Sequence, residues 1–337
     1  MPQSVQQPCR VSIVIKALNE EKRIAKAIET ALAAVAPIGG EVILADSCSS
    51  DHTVDIARRY PITITQLANP HERCCGIGPQ LGYQIANGEF VYILDGDMEM
   101  LAGFLEPAVA YMDSHPEVGG VGGVVVEMNT ESMEYKARME RASGHMQPGP
   151  VDRLDMGGLY RKRAVEQAGY FSNRNLHSYE EYDLGVRLRS KGWCLVRLGI
   201  NSVNHHGHDA PPYQLLLRRW KTGYICGLGE VIRAAAGHPH LVIVLREVRE
   251  LRIYVTTLLW WLAILGIVVL PLTIGVKLLC LGGVLASFPI IMSIKKRSLS
   301  KGIFSVVSWC FNAGGLICGI FSTQISPEKK ISAITIN

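Results

Sequence analysis

The sequence predicts an α/β domain with a mostly parallel sheet and helices on both of its faces, followed by an α-helical membrane segment. Two features lead to this prediction. Short apolar runs rich in β-branched residues alternate with helical patterns over residues 11–94, and acidic residues follow several of these runs. Beyond Arg252 the chain becomes overwhelmingly apolar and contains long stretches without a charged side chain.

The predicted soluble part begins with a regular alternation of strands and helices. Each strand is a short run of aliphatic and aromatic residues, typical of a strand buried in a parallel sheet. Gly39 and Gly40 end the first helix, Ser50 or Asp51 can cap the second, and Gly88 follows the third. The strands are predicted at 11–15, 41–45, 62–66 and 90–94, and the helices at 19–32, 53–60 and 79–86.

Polar residues follow three of these strands at the point where each strand ends. The segments that carry them are Ala17–Glu20, Asp46–Asp51 and Asp95–Asp97. Parallel α/β sheets bind ligands beyond the carboxyl ends of their strands, so these residues are predicted to share one rim. Neither G-x-G-x-x-G nor a GxxxxGK[ST] loop follows the first strand, which disfavours a dinucleotide enzyme and a phosphate-loop enzyme.

The sequence Asp95-Gly96-Asp97 indicates a divalent metal site. Two carboxylates that flank one residue at the tip of a buried strand can share Mg²⁺ or Mn²⁺, with substrate phosphates as further ligands. A simple turn is the alternative interpretation. Asp46 ends the second strand, where its carboxylate can accept the imide N–H of a pyrimidine base. Asp51 is interpreted as a helix-capping residue.

Four ordered segments carry a resemblance to a known family. They are VSIVIKALNEE, VILADSCSSDHT, GYQIANGEFVYILDGD and GGLYRKRAVEQAGYFSNRNLHSYEEYDLGVRLRSKGW. Together they make residues 11 to about 220 similar to the family 2 glycosyltransferases, which have the GT-A fold. The resemblance implies an inverting, metal-dependent transfer of a sugar from a nucleotide-sugar donor.

The resemblance also implies a role for each matching residue on the donor side. Asp46 would contact the base, and Ala17 and Glu20 would lie near the nucleoside. Asp95 would lie against the ribose or the phosphates, and Asp97 would bind the metal.

On the acceptor side, the family usually shows Glu-Asp where this chain has Glu180-Glu181. Glu181 therefore takes the position of the catalytic base, and Glu180 is predicted to bind the acceptor beside it. Inversion needs one carboxylate to deprotonate the acceptor hydroxyl. The alternative is that both residues only begin a solvated helix. Ser47 and Pro79 depart from the family pattern, which affects the details of nucleotide binding more than the reaction class.

Several further residues are candidate ligands. Residues 205, 206 and 208 are all histidine, and His206 is predicted to reach the metal or the diphosphate. Arg73 and Arg219 are predicted to contact the diphosphate, because guanidinium groups match phosphate oxygens. Trp220 is predicted to stack on an acceptor sugar, with packing at the membrane surface as the alternative.

The apolar part of the chain predicts membrane insertion. The uncharged runs 253–274 and 303–325 are long enough to span a bilayer, whereas 278–294 is marginal. Basic residues at 295–301 predict a cytosolic loop, on the same side as the soluble domain. Three arrangements stay open for the third run: it crosses the bilayer, it enters the bilayer and returns to the same side, or it lies in the membrane interface. The domains are predicted as 1–235, an interfacial amphipathic helix at 236–252, membrane helices at 253–325 and a tail at 326–337.

The remaining features define the expected partners. A net charge of +4 and the absence of a long basic block disfavour nucleic acid. Nine scattered cysteines indicate reduced thiols, and Met1–Arg10 has no apolar signal-peptide core. We expect a lipid-linked or polysaccharide acceptor, membrane lipids as partners, and the inner membrane of a bacterium. The alternatives are a nucleotidyltransferase and a membrane scaffold or export subunit with a degenerate transferase domain.

Overall fold

The computed structural model describes residues 9–129, 144–207 and 211–336. The chain divides into two compact units. One unit consists of Met1–Asp209 together with Gln324–Asn337, and the other consists of Ala210–Thr323.

The first unit contains a mixed β-sheet. Its strands are β1 Val11–Ala17, β2 Gly40–Asp46, β3 Thr63–Leu67, β4 Phe90–Asp95, β5 Met98–Met100, β6 Val118–Glu127, β7 Gly149–Pro150, β8 Gly158–Arg161, β9 Cys194–His205 and β10 Ala333–Ile336. Within the described residues, the strand order is β10-β3-β2-β1-β4-β8-β6-β9-β5, and β7 pairs with β9. The four predicted strands, β1 to β4, are parallel, while β8 and β10 flank them in the antiparallel direction.

Helices cover both faces of this sheet. They are α1 Ile24–Val35, α2 Thr53–Ala57, α3 Ile77–Tyr83, α4 Leu105–Ser114, α5 Lys162–Gln167 and α6 Glu180–Ser190. Alternate residues of a strand point to opposite faces. In β4, Tyr92 therefore packs in the core beneath α1, α2 and α4, and Ile93 packs in the core beneath α3, α5 and α6. The predicted α/β fold with helices on both faces is confirmed.

The second unit is helical. Its helices are α7 Pro212–Lys221, α8 Gly227–Ala235, α9 Leu241–Glu247, α10 Arg249–Val269, α11 Ile274–Lys296 and α12 Leu299–Phe321. By length and composition, α10, α11 and α12 could each cross a membrane. Each corresponds to one of the three apolar runs in the sequence. Helix α9 ends at Glu247, and the extended backbone of Val248 separates it from α10.

Candidate active site at the carboxyl edge of the sheet

The turns that follow β1 and β2 are hydrogen-bonded to each other. Asn19 adopts a left-handed backbone conformation with φ of 60°. Its N–H donates to Ser49 Oγ at 2.8 Å, and its own Oδ1 accepts the N–H of Ser50 at 2.8 Å. The N–H of Glu20 donates to Thr53 Oγ1 at 2.8 Å. Because these donors serve the neighbouring turn, α1 begins later than the sequence predicts, and the two strand ends are fixed side by side.

Asp46 lies at the end of β2 and is fully buried. Its Oδ2 accepts hydrogen bonds from the N–H of Ser49 at 3.0 Å and from Gln66 Nε2 at 2.8 Å. Its Oδ1 is buried and has no hydrogen-bond partner. A buried carboxylate oxygen without a donor is costly, so this atom is available for a donor supplied by a ligand. Ala17 pairs with Asp46 in the parallel register of β1 and β2.

Lys16 joins three carboxyl groups from distant parts of the chain. Its Nζ lies 3.0 Å from Asp95 Oδ1, 3.5 Å from Glu180 Oε1 and 3.6 Å from Glu181 Oε1. Burial lowers the pKa of Lys16, but the three carboxylates outweigh burial and raise the pKa well above its usual value. The ammonium group therefore stays charged and holds the end of β4 next to the start of α6.

Glu181 has an unusual protonation equilibrium. Its side chain is 28% exposed. Burial and the neighbouring Glu180 raise the pKa of Glu181 to about 8, against the opposing effect of Lys16. A carboxyl group whose pKa lies near neutrality can both accept and release a proton under ordinary conditions.

Helix α6 is held in place from both ends. It begins after Tyr179, which adopts a left-handed conformation with φ of 68°. Near its other end, the buried Arg187 pairs with Asp183 at 2.8 Å and donates to the carbonyl groups of Tyr170 and Phe171. The buried ion pair and its additional hydrogen bonds satisfy the guanidinium group. These contacts fix the position of the Glu180–Glu181 pair.

Asp97 is buried just beyond β4, next to a histidine of β9. The Nε2 atom of His205 lies 3.6 Å from Asp97 Oδ2, and its Nδ1 lies 2.8 Å from Glu127 Oε1. The adjacent His206, which the sequence singles out, instead places Nε2 2.9 Å from Glu99 Oε1. A metal role for His206 stays a prediction, while the geometry brings His205 to Asp97. Residue 208 lies outside the described residues.

The side chains around Asp97 fit a divalent cation whose remaining ligands would come from the substrate. Within residues 9–129, 144–207 and 211–336, no group of three or more Cys, His, Asp or Glu side chains forms a ready-made metal cage. Mg²⁺ and Mn²⁺ sites in phosphate-transferring proteins commonly use only one or two carboxylates, with substrate phosphates as the other ligands. Asp97 and the nearby imidazole supply such a partial set.

Gly96 allows the turn between the two aspartates to approach β1 closely. Its N–H donates to the carbonyl oxygen of Lys16 at 3.0 Å. A Cβ atom at this position would lie 2.9 Å from Glu20 Cγ. Burial, followed by the charges of Asp97 and Asp95, raises the pKa of Glu20 to about 7. The turn therefore brings three acidic side chains together.

A small pocket opens beside α6. Its lining includes Pro79, Tyr160, Phe171, Ser172, Glu180 and Glu181. The pocket therefore combines an apolar floor with the two carboxyl groups. Gln80 Oε1 accepts the backbone N–H groups of Phe171 and Ser172, each at 3.0 Å, and so ties the pocket wall to α3.

The remaining predicted residues occupy different parts of the chain. The exposed Arg73 donates to the carbonyl oxygen of Cys48, in the turn after Asp46. Arg219 and Trp220 belong to α7 in the second unit. There the guanidinium group of Arg219 lies 5.0 Å from the ring centroid of Tyr224, and the ring of Trp220 packs edge-on against Phe311.

Sequence reasoning missed two residues that the structure brings into the site. Lys16 lies in the otherwise apolar strand β1. A single charged residue in such a strand was the feature that could have identified it from the sequence. Gln66 ends the predicted third strand, directly beside Asp46 in the parallel register. A polar residue at that end of a buried strand was a signal of the same kind as Asp46 itself.

Comparison with known proteins identifies relatives of this chain. Residues 12–169 match the family model described as Glycosyl transferase family 2. Amylovoran biosynthesis glycosyltransferase AmsE of Erwinia amylovora is 25% identical over 241 residues, which cover 64% of this chain and 89% of that protein. Glucomannan 4-beta-mannosyltransferase 1 of Cyamopsis tetragonoloba is 27% identical over 146 residues, which cover 40% of this chain but only 27% of the plant protein.

Solved structures share the fold at low sequence identity. Mannosyltransferase PcManGT from Pyrobaculum calidifontis, in complex with GDP-Man and Mn²⁺, matches with a TM-score of 0.57 and 17% identity, covering 95% of this chain and 91% of that chain. S. aureus TarS 1-349, in complex with UDP-GlcNAc, matches with a TM-score of 0.53 and 15% identity, covering 92% and 81%. These likenesses confirm the GT-A fold.

Proposed function

Because the chain carries a glycosyl transferase family 2 domain over residues 12–169, we propose that it transfers a sugar from a nucleotide-sugar donor to a lipid-linked or polysaccharide acceptor, with inversion at the anomeric carbon. The reaction takes place at the cytosolic face of the membrane that holds its apolar helices, which in a bacterium is the inner membrane. The observation that carries this proposal is the cluster around Lys16, because it joins Asp95 on the donor side to Glu180 and Glu181 on the acceptor side.

The donor binds along the carboxyl ends of β1, β2 and β4. Asp46 accepts an N–H of the base, which its unpartnered Oδ1 supports. Ala17 and Glu20 flank the nucleoside, and Asp95 lies against the ribose or the phosphates. Arg73 and, from α7, Arg219 contact the diphosphate through their guanidinium groups. The nucleotide sugars bound in the PcManGT and TarS structures support a donor of this class.

Asp97 holds Mg²⁺ or Mn²⁺, with His206 or His205 as the imidazole ligand. When bound there, such a cation would supply positive charge that neutralises the departing diphosphate. The buried Asp97 with an imidazole 3.6 Å away supports this assignment, as does the Mn²⁺ in the PcManGT complex. Glu127 and Glu99 orient the two imidazoles, because each accepts a hydrogen bond from one of them.

Glu181 is the catalytic base. Its ionised carboxylate takes the proton of the acceptor hydroxyl while that oxygen forms a bond to the anomeric carbon. The bond from the anomeric carbon to the diphosphate oxygen breaks, and its electron pair leaves with the nucleoside diphosphate. Because attack occurs opposite the leaving group and no enzyme carboxylate attacks the sugar, the configuration inverts. Glu180 binds the acceptor beside this base, and Trp220 stacks on an acceptor sugar.

The acceptor class has support from one relative. AmsE is named for amylovoran biosynthesis, and it matches this chain over most of its own length. A saccharide acceptor assembled at a membrane agrees with the three apolar helices of this chain.

A donor panel on the detergent-solubilised full chain tests the proposal. UDP-, GDP- and dTDP-sugars are supplied with Mg²⁺ or Mn²⁺, and release of nucleoside diphosphate is recorded. We expect release from one donor, lost on chelation and in the Asp97→Asn variant. We also expect Glu181→Gln to abolish the acceptor-dependent part of the release. Transfer that persists with Asp97→Asn would contradict the metal assignment.

The same panel separates the alternatives. A nucleotidyltransferase would release no nucleoside diphosphate from these donors. It would instead form pyrophosphate in a parallel reaction that supplies a nucleoside triphosphate and a sugar 1-phosphate. A scaffold with a degenerate domain would neither release product nor bind any of the donors. The anomeric configuration of the product, read by NMR, decides between inversion and retention.

A further inference from the structure

The end of the chain is an integral part of the first unit. After α12, the chain returns to the sheet as β10, which pairs antiparallel with β3 from Ala333 opposite Leu67 to Ile336 opposite Ile64. Ile331 is 1% exposed and packs in the core beneath α3, α5 and α6. Strand β10 therefore covers what would otherwise be an open sheet edge.

Further hydrogen bonds hold the same segment. The side chain of Gln84 both accepts the N–H of Ile331 at 2.7 Å and donates to its carbonyl oxygen at 3.2 Å. The side chain of Asn175 does the same for Ile325, at 2.9 and 2.8 Å. Arg174 donates to the carbonyl oxygen of Lys329 at 2.9 Å. The return of the chain thus rests on backbone and side-chain contacts from residue 325 to residue 336.

This return restricts the membrane topology. The helical unit, residues 210–323, is preceded and followed in the chain by parts of the same folded unit. A folded unit lies on one side of a membrane, so the chain between its two parts must cross an even number of times. Within the part of the chain that the structure describes, three helices are long and apolar enough to cross. At least one of them therefore does not.

One side of helix α12 packs against α11, as in Trp309 against Phe288. Its other side, from Phe304 onward, has neighbours that are poorly suited to a bilayer core. The segment from α7 to α8 runs beside it in the same direction. From start to end the contacting pairs are Tyr213 with Phe304, Trp220 with Phe311, Ile225 with Gly315, Gly229 with Leu316 and Arg233 with Ser322. The contact is close, because a Cβ atom on Gly315 would lie 2.5 Å from the carbonyl oxygen of Ile225.

The same α7–α8 segment carries charged side chains at several levels of α12. They are Arg218, Arg219, Lys221, Glu230 and Arg233. Trp220, between the basic residues of α7, contacts the middle of α12. If α12 crossed the bilayer, the basic residues beside Trp220, at the level of the middle of α12, would lie at the depth of the hydrocarbon core, where Arg and Lys are strongly disfavoured.

Helices α10 and α11 have the opposite character. Their apolar side chains face outward, as in Leu262 at 61% exposure and Leu279 at 78%. They contact each other through Trp260, whose Nε1 donates to the carbonyl oxygen of Val284 at 2.8 Å. At their connection, Lys277 Nζ donates to the carbonyl oxygen of Val268 at 2.9 Å, near the end of α10. Basic residues stand at the other ends of both helices, at Arg249 to Arg252 and Lys295 to Arg297.

We propose that α10 and α11 cross the bilayer as a hairpin, and that α12 does not cross. Helix α12 stays with α7 and α8 in the lipid interface, on the side of the membrane that holds the first unit. The outward apolar faces of α10 and α11 contact the lipid hydrocarbon, and the basic residues at their charged ends face the headgroups on the side of the first unit. The inference is independent of the proposed reaction.

Cysteine labelling in sealed vesicles tests the topology of the full chain. Four exposed positions are each changed to cysteine: Ala102 in the first unit, Thr273 at the tip of the hairpin, Ser300 at the start of α12 and Ser326 in the returning tail. A membrane-impermeant maleimide is added before and after permeabilisation, and the extra label is counted relative to the parent chain. A proteoliposome or membrane preparation of a single orientation is used, with the first unit outside.

We expect Ala102→Cys, Ser300→Cys and Ser326→Cys to gain a label in the sealed vesicles, and Thr273→Cys to gain one only after permeabilisation. A label on Ser300→Cys that requires permeabilisation would mean that α12 crosses in place of α11 and would overturn the proposal. A label on Ser326→Cys that requires permeabilisation would mean an odd number of crossings and would overturn the proposal. A label on Thr273→Cys in sealed vesicles would mean that the hairpin does not cross. An epitope tag placed after Asn337 gives a second measurement without a cysteine. Protease added outside should remove the tag, and a protected tag would contradict the proposal.

Discussion

The contacts of Lys16 lead to the sharpest prediction about the active site. The Lys16→Met variant removes the ammonium group and keeps a stem of similar length. In the structure that group lies within 3.6 Å of Asp95, Glu180 and Glu181. Its loss leaves three carboxyl groups near one another without their shared counter-charge. We therefore expect the pKa of Glu181 to rise further, because Lys16 is the group that lowers it.

The size of this change follows from the geometry. An opposite charge within about 4–6 Å lowers a carboxyl pKa by roughly 1–3 units. Glu181 is partly exposed, so the lower part of that range applies, and its pKa should move from about 8 to roughly 9 or 10. The ionised fraction falls about tenfold for each unit when the pH is below the pKa. At a pH near 7.5, acceptor-dependent turnover should therefore fall by roughly 10- to 100-fold.

The assay is the release of nucleoside diphosphate with acceptor present, measured from about pH 6 to pH 10. The acid limb of the plot of kcat/KM against pH should shift to higher pH in Lys16→Met, and turnover should recover at high pH. Lys16→Arg keeps the charge and should keep the acid limb close to its original position. Lys26→Met removes an exposed lysine that pairs with Glu29 at 3.9 Å on the surface of α1, and it should leave the pH profile unchanged. A loss of activity in Lys16→Met that is the same at every pH would refute the reasoning.

Four other predictions concern single features. Asp46→Asn should raise the donor KM about 10-fold or more, with a smaller effect on kcat, because one charged hydrogen-bond acceptor is lost; steady-state kinetics checks this. Mn²⁺ titration should separate His205→Ala from His206→Ala: a metal requirement raised more by the first would favour the residue beside Asp97. Glu181→Gln should raise the Tm increasingly between about pH 4.5 and pH 8, because the raised folded-state pKa makes the carboxylate cost stability as pH increases through that window. Deleting 326–337 should lower the Tm by roughly 5–10 °C and promote aggregation, because β3 becomes an open edge and the Ile331 contacts are lost; light scattering and thermal unfolding check both effects.

The central part of the fold was predictable because its signals are local. Each of the strands β1 to β4 is a short apolar run, and each membrane-length helix is a long one, so both can be seen without knowledge of their neighbours. Strand β10 was not predicted. Its stabilising contacts come from β3 and from Gln84, about 250 positions earlier in the chain. A pairing of that sequence separation leaves no mark in a local pattern.

The candidate site was predictable at the strand ends and less so elsewhere. Asp46, Asp95 and Asp97 follow buried strands, where parallel topology alone brings them together. The choice between His205 and His206 depends on register, because adjacent residues of a strand point to opposite sides. Here Met98 pairs with His205, and that register turns the ring of His205 toward Asp97. Sequence alone does not fix this register, and so the histidine beside Asp97 could not be named from it.

The backbone around the site is conformationally restricted in a way that bears on its function. Among the described residues, five that are not glycine have a positive φ, and three of them belong to turns described above at the site: Asn19, Cys48 and Tyr179. Left-handed conformations are unfavourable for such residues and persist only where surrounding contacts impose them. The hydrogen bonds of Asn19 and the ion pair of Lys16 are contacts of this kind. The carboxyl groups of Asp95, Glu180 and Glu181, which the proposed function assigns to the donor and acceptor sides, are thus held near one another by contacts within the chain. The same arrangement concentrates like charges and strained turns in one place, which is the local conflict expected where a sequence is selected for chemistry as well as for stability.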